Sequence, residues 1–456
     1  MAWPLIMNLN DSELDLLVQT AIKEGNRTKV QAVAEELQPY DMAAVYGRLP
    51  EKYRAGFVIY MTIEQLTAMV GEMVQGQQVE VFALLGVERT AELMDRMDND
   101  DLAVLLGGLS EERKKSFLDY MKKEEVIAVQ HLMAYAPETA GRIMTNRYVW
   151  IPSHYNVRDT VDKLKDFAEI AESINYLYVV DEKKKLIGVV SYRDLIMAEI
   201  GDQITDIMYE RVIAVPVDMD QEEVARQIER YNFLAIPVVE ENGVLVGIVT
   251  VDDIIDVVIR EASEDIAKMS ASGKSIDFDT KAHVAAYRRL PWLILLLLIG
   301  ILSGTIISRF EETLDKVVAL AFFMPMIAGM TGNTGTQSLA VVVRGLTTKE
   351  VTSGVVRRLV RRELMVGLMI GGICGVLISI IAYVWQGSPI LGLVVGGSLV
   401  MTLIIGTLAG TVIPLILYKL KVDPAVASGP LITTLNDILS LLIYFGIATA
   451  FLEYLI

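Results

Sequence analysis

Cysteine and histidine are nearly missing from this sequence. Cys374 stands alone in an apolar segment, so an intramolecular disulfide is impossible. His131, His154 and His283 are far apart and lack ligand spacing, which leaves a zinc site without support. A basic leader is missing as well. The opening "MAWPLIMNLNDSELDLL" has too short an apolar run for a secretory signal, and the soluble half is expected to stay in the cytoplasm. Positive charge is in deficit, with 41 Lys and Arg against 58 Asp and Glu and a formal net charge of −17. Such a chain repels nucleic-acid phosphates, and inorganic cations are its more natural partners.

The deficit is uneven. Residues 281–456 hold 13 basic against 8 acidic side chains, which leaves 28 against 50 for residues 1–280. The chain is 53% apolar with positive mean hydropathy. An acidic, water-soluble half therefore precedes an apolar, weakly basic half, and 456 residues allow several domains.

Apolar residues recur at spacings of three and four through residues 1–135, which predicts helices. "DMAAVYGRLPEKYRAGFVIYM" (41–61) is echoed by "DLAVLLGGLSEERKKSFLDYM" (101–121) at an offset of 60, as expected for helical hairpins stacked in a superhelix. The texture then turns β-rich. "YLYVVDEKKKLIGVVSYRDLI" is answered by "LAIPVVEENGVLVGIVTVDDII", each a strand, a charged turn, a strand and a helix. Gly188, Ser191 and Asp194 in the first unit match Gly247, Thr250 and Asp253 in the second, with Ser191 and Thr250 suited to helix N-caps. This duplicated unit resembles a tandem pair of cystathionine-β-synthase (CBS) domains. The resemblance implies a cleft for adenine nucleotides such as ATP, with Ser191, Asp194, Thr250 and Asp253 at the nucleotide positions. Plain helix caps are the alternative. "SGKS" at 272–275 lacks the preceding glycine and strand of a phosphate loop and is rejected.

Five apolar stretches follow, at about 292–307, 317–342, 366–385, 391–417 and 430–451. Most approach the roughly 20 residues needed to cross a bilayer. "RGLTTKEVTSGVVRRLVRRE" (344–363) carries six Lys or Arg and is expected inside, whereas "RFEETLDK" (309–316) and the uncharged "WQGSP" (385–389) suit the outside. The N-terminus is then cytoplasmic and the C-terminus outside. Asp437 is the one acid well within a stretch. A carboxylate at that depth costs about 2.5–3.5 kcal/mol on insertion scales. Two readings stay open: a protonated group bonded between helices, or an ionised group lining a cation path. "PMIAGMTGNTGTQS" (325–338) interrupts another stretch with glycines, amides and hydroxyls. Loosened helix and freed carbonyls are expected there. Oxygen donors without Cys or His suit hard cations.

The order of superhelix, CBS pair, acidic connector and five spans resembles the MgtE family of magnesium channels. "GNTGTQS" (332–338) and "DPAVASGPLITTLNDILSLLIYF" (423–445) resemble its pore signatures. The fold expected is a multidomain membrane protein: an all-α N-terminal superhelical domain at 1–135, α/β CBS domains at 136–203 and 204–262, a linker or plug helix at 263–288, and a five-helix α transmembrane domain at 289–456. The resemblance implies a homodimer in the plasma membrane with one pore on the two-fold axis, taking up Mg²⁺. Asp437 matches the selectivity acid and Asn333 the pore asparagine, with Gly329, Gly332 and Thr433 beside them. It also implies closure by internal Mg²⁺ bridging Asp98, Asp100 and Asp101 to Asp253, Asp256, Glu261 and Glu264. One departure is Val104, where the family carries a further Asp. Each acid has the alternative of being solvated surface. A proton- or sodium-coupled carrier is the rival transport reading. No nucleophile–base pair, phosphate loop or histidine set supports an enzyme.

Overall fold

The computed structural model describes residues 10–167, 171, 173–272, 276, 280–348 and 352–456. Three parts of the sequence reading lie outside the described residues: the opening run at 1–9, residues 273–275 of "SGKS", and 349–351 of the basic loop. The chain divides into two compact units, Met1–Val258 and Ile259–Ile456.

Short helices fill the first part of the first unit, from Asp11–Lys23 to Lys123–Ala134. Their starts are written in the sequence. Asn10 with Glu13 and Thr62 with Gln65 form capping boxes that satisfy the first free N–H groups. Their buried faces follow the helical period, as in Leu66, Met69 and Val70, all fully buried. Each such side chain contributes about 1.5–3 kcal/mol. The echo at 41–61 and 101–121 resolves into two helix pairs: Pro39–Arg48 with Glu51–Tyr60, and α1 (Asn99–Gly107) with Glu111–Leu118.

Two three-stranded sheets follow. In the first, β1 (Tyr148–Pro152) pairs parallel with β2 (Ser173–Val180), which pairs antiparallel with β3 (Leu186–Ser191). In the second, β4 (Val215–Pro216), β5 (Ala235–Val239) and β6 (Leu245–Thr250) repeat that order. Gly188 faces Val179 and Gly247 faces Val238, at equivalent points of the two ladders. The second glycine is needed for close approach. A Cβ at Gly247 would stand 2.7 Å from the Thr145 carbonyl oxygen. That closeness lets Thr145, ahead of the first sheet, bridge to Ile248 of the second, while Tyr209, ahead of the second, bridges to Val189 of the first. The two repeats are therefore interlaced. Helix α2 (Val251–Met269) carries the chain from the first unit into the second. The expected linker segment 263–288 is thus not one helix: its start is the end of α2, and its last residues open α3 (Ala282–Arg309).

The second unit also contains α4 (Ala319–Thr348), α5 (Ser353–Gln386), α6 (Pro389–Lys419) and α7 (Gly429–Ala450). Among the described residues, α3, α5, α6 and α7 are long and apolar enough to cross a membrane. Helix α4 is long enough but diluted by its glycines, amides and hydroxyls. It also overturns an expectation. The run 325–338 does not interrupt the helix, which continues through Pro325 and all the glycines. Its hydroxyls bond back into the same helix. Thr331 donates to the Ile327 carbonyl at 2.7 Å and Thr334 to that of Met330 at 2.8 Å. The glycines let helices touch: a Cβ on Gly406 of α6 would lie 2.9 Å from the Thr331 carbonyl oxygen.

Candidate functional site

Helices α4 and α7 meet at two polar residues that look alike in sequence and differ in space. Asn436 is fully buried, and its Nδ2 donates to the Thr331 carbonyl of α4 at 3.4 Å. It is an interhelical bond, as is that from the Tyr444 hydroxyl of α7 to the Leu320 carbonyl of α4 at 2.9 Å. Asp437, the next residue, is half-buried, and its carboxylate takes no hydrogen bond among the described residues. Its neighbour across the interface is Gly332, whose added Cβ would lie 3.6 Å from Oδ1 of Asp437 and 2.8 Å from Cγ2 of Thr433. The Thr433 hydroxyl donates back to Gly429 at 2.9 Å, so only its acceptor side remains for a ligand. Pro325, Gly329, Asn333 and Gln337 form one exposed stripe on α4, four residues apart.

A second carboxylate is buried in this unit, at the end of the basic run 344–363. Glu363 of α5 is 4% exposed. It accepts from Ser338 of α4 at 2.9 Å and pairs with Arg362 at 2.7 Å. Its burial is therefore compensated on both oxygens.

In the first unit three expected acids come together. Asp101 sits on the open side of α1, facing Asp253 and Asp256 of α2. Burial, then the charges of Asp253, Asp98, Asp256 and Glu72, push its carboxyl up to about 7, although the side chain keeps an outlet to solvent. Burial pushes Asp253 up to about 6 against a lowering hydrogen bond from Thr250, and Asp252 and Asp256 add to the rise. Asp98 is drawn off by Arg147 at 3.0 Å. Asp100 lies on the packed face at 5% exposure, and Val104 is 42% exposed. Among the described residues no three His, Cys, Asp or Glu groups form a ready inner shell for a metal ion.

Glu261 and Glu264 belong to the second unit and form a different group. Lys268 bridges Glu264 at 2.8 Å and Asp423 at 2.7 Å. Burial raises the Asp265 carboxyl, with Asp423 next in effect and Lys268 opposing. Met269, ending α2, packs against Leu339, Val343, Ala427 and Ile432.

The nucleotide motif forms matched pairs. Ser191 donates to Asp194 and Thr250 to Asp253, both at 2.5 Å. Ser191 also caps its helix by accepting from the Asp194 N–H. It lines a cleft of about 280 Å³ with Tyr176, Tyr178, Arg211 and Phe233. The Tyr178 hydroxyl is buried there without a hydrogen-bond partner among the described residues. These cleft residues escaped the sequence reading. The available signal was their alternation, with Tyr176 and Tyr178 on one face of β2 and Ala235 and Pro237 on one face of β5.

Known proteins match this chain throughout. A divalent cation transporter family, MgtE, matches residues 324–447; the MgtE intracellular N domain matches 37–138 and the CBS domain 140–201 and 204–260. The magnesium transporter MgtE of Bacillus subtilis is 60% identical over 451 residues, covering 99% of this chain and 100% of its own. The chain belongs to the MgtE family. The magnesium transporter MgtE of Thermus thermophilus is 37% identical, covering 97% and 99%. Among solved structures, the soluble part of a magnesium transporter is 36% identical with a TM-score of 0.53, covering 56% of this chain and 100% of that one. The cytosolic domain of the Mg²⁺ channel MgtE in complex with ATP is 34% identical with a TM-score of 0.51, covering 53% and 99%. The MgtE transporter match takes in Gly329, Gly332, Asn333, Thr433 and Asp437 together. The second CBS match includes Thr250, Asp253 and Asp256 and stops just short of Glu261.

Proposed function

We propose that this chain is a magnesium channel that admits Mg²⁺ through the plasma membrane and is closed by internal Mg²⁺. One observation carries the reading: the Asp437 carboxylate is half-buried, unbonded among the described residues, and set against Gly332, while Asn436 makes the helix contact. An ionised group at that depth is tolerable only beside water or a cation. The stripe of Gly329, Asn333 and Gln337 is unsuited to lipid. A second copy of the chain would cover it and bring two Asp437 carboxylates to a two-fold axis. Mg²⁺ surrenders its waters reluctantly. Two carboxylates with the Asn333 amide and carbonyls near Gly329 would hold the hydrated ion by hydrogen bonds to its waters.

Asp101, Asp253 and Asp256 repel one another in the absence of a cation. Internal Mg²⁺ would bridge them through its waters and draw α1 toward α2. The far end of α2 is tied to the membrane unit by Lys268, Asp423 and Met269, so a shift in that helix would reach the pore. Differential ion binding to two arrangements is all that such gating needs. The cleft beside Ser191, with aromatic walls, Arg211 and the Tyr178 hydroxyl, has the donors and stacking surfaces for an adenine nucleotide such as ATP.

Mg²⁺ flux into liposomes holding the full chain tests the pore. Asp437→Asn should lower flux or discrimination against Ca²⁺ by about tenfold or more, equivalent to about 1.4 kcal/mol of lost cation stabilisation. Unchanged flux and selectivity would sink the assignment. Uptake tied obligatorily to a proton or sodium gradient would favour the carrier instead.

A further inference from the structure

A cavity of about 500 Å³ lies among α4, α5 and α6, away from every group discussed above except Arg362. One wall is apolar, with Val342, Leu359 and Leu415; the other carries Arg344, Arg358 and Arg362. Arg358 and Arg362 are four residues apart and share a face of α5. The first turn of that 34-residue helix also lines the cavity through Val355 and Val356, so the positive end of the helix dipole adds to the guanidiniums. Among the described residues no acidic side chain lines it. From residue 364 to the end of α5 there is no charged residue. The cavity therefore sits where the helix passes from water to hydrocarbon.

A soluble anion would gain nothing from Val342, Leu359 and Leu415, and an apolar molecule nothing from three arginines. A molecule with an anionic head and an apolar tail uses both walls. We propose that the cavity binds an anionic phospholipid of the cytoplasmic leaflet, its phosphate on Arg344 and Arg358 and its first acyl carbons on Leu359 and Leu415. Binding depends on membrane placement alone and not on which ion is transported. A route to the pore helix exists. Arg362 pairs with Glu363, and Glu363 accepts from Ser338, the residue after Gln337 of the exposed stripe.

Native mass spectrometry of the full chain, titrated with phosphatidylglycerol or phosphatidylcholine, tests the site. The wild type should retain phosphatidylglycerol preferentially. The double variant R344Q/R358Q should lose roughly 30-fold in retention, at about fivefold per guanidinium. R357Q/R361Q removes the same charge from α5 outside the cavity and should stay within about twofold of wild type. L415W fills the cavity with the arginines intact and should also release the lipid. Equal loss in both arginine doubles would reduce the effect to diffuse attraction and overturn the proposal. Lipid retention in L415W would overturn it too, as would an absence of headgroup preference. Displacement by inorganic phosphate, with phosphatidylglycerol left unbound, would assign the arginines to a soluble anion instead.

Discussion

Two groups of carboxylates lie along α2, and they solve the same electrostatic problem in opposite ways. Asp253 and Asp256, in its first turns, face Asp101, and the charges that raise the Asp101 carboxyl are all acidic. Glu264 and Asp265, in its last turns, share Lys268 with Asp423. The first group is left with like charges and carboxyls that titrate near 6 to 7. The second carries its own cation. A group that lacks an internal cation responds to an external one, whereas a group that has one holds its geometry without it. On the proposed gating, the first group would sense and the second would anchor.

The largest effect should come from removing the uncompensated charges. Magnesium at about a hundredfold excess over its Kd would stabilise the wild type by about 2.7 kcal/mol. The double variant D101N/D253N should lose most of that gain and should stay open at internal Mg²⁺ levels that close the wild type. Thermal unfolding with and without Mg²⁺, alongside patch recording, reads both. A full Mg²⁺ response in the variant would dissolve the distinction between the groups.

A smaller effect sharpens the same contrast. The Asp101 and Asp253 carboxyls titrate at about 7 and about 6 in the folded chain, against an ordinary value of 3.8. The folded chain therefore holds protons that the unfolded chain has already released. Stability should fall as pH rises from about 4 to about 7, with the penalty fully present above that window and absent below it. Saturating Mg²⁺ should flatten the slope by supplying the positive charge that the protons otherwise provide. Urea midpoints across this range, with and without Mg²⁺, check it. A slope of the opposite sign would mean that these acids are not the titrating groups.

Much of this was legible in the chain because periodicity and duplication are local signals. The helix pairs, the two strand–turn–strand units and the matched Ser191–Asp194 and Thr250–Asp253 pairs all follow from patterns within about 20 residues, whereas the interlacing of the two sheets rests on the Thr145–Ile248 bridge between residues far apart in sequence. Asp437 was conspicuous because charge is rare at that depth. Glu363 was not, because its burial comes from Ser338 on another helix, and a carboxylate after two arginines reads as a cytoplasmic rim. Helix α4 was misread for a physical reason. Glycine and proline weaken helices in water, whereas between packed spans they permit close contact and the hydroxyls of Thr331 and Thr334 bond back to their own helix. The division of the acids between two groups depends on Lys268, which a charge count along α2 does not single out.

Lys268→Met is the substitution that should make the anchoring group behave like the sensing one. Both of its ion pairs are partly exposed, so the loss in stability should be modest, about 0.2–1 kcal/mol for each pair. The informative change lies in the response to Mg²⁺. With the ammonium gone, Asp265 loses the basic group that opposes the rise of its carboxyl, and the charges of Asp423, Glu261 and Glu264 remain. Hydrogen exchange at residues 264–269 and 420–428 should rise in the absence of Mg²⁺ and return toward wild-type protection when it is added. Exchange that rises and stays insensitive to Mg²⁺ would mean that the lysine supplies specific geometry rather than charge. Unchanged exchange would mean that Met269, packed against Leu339, Val343, Ala427 and Ile432, holds this end of α2 by itself.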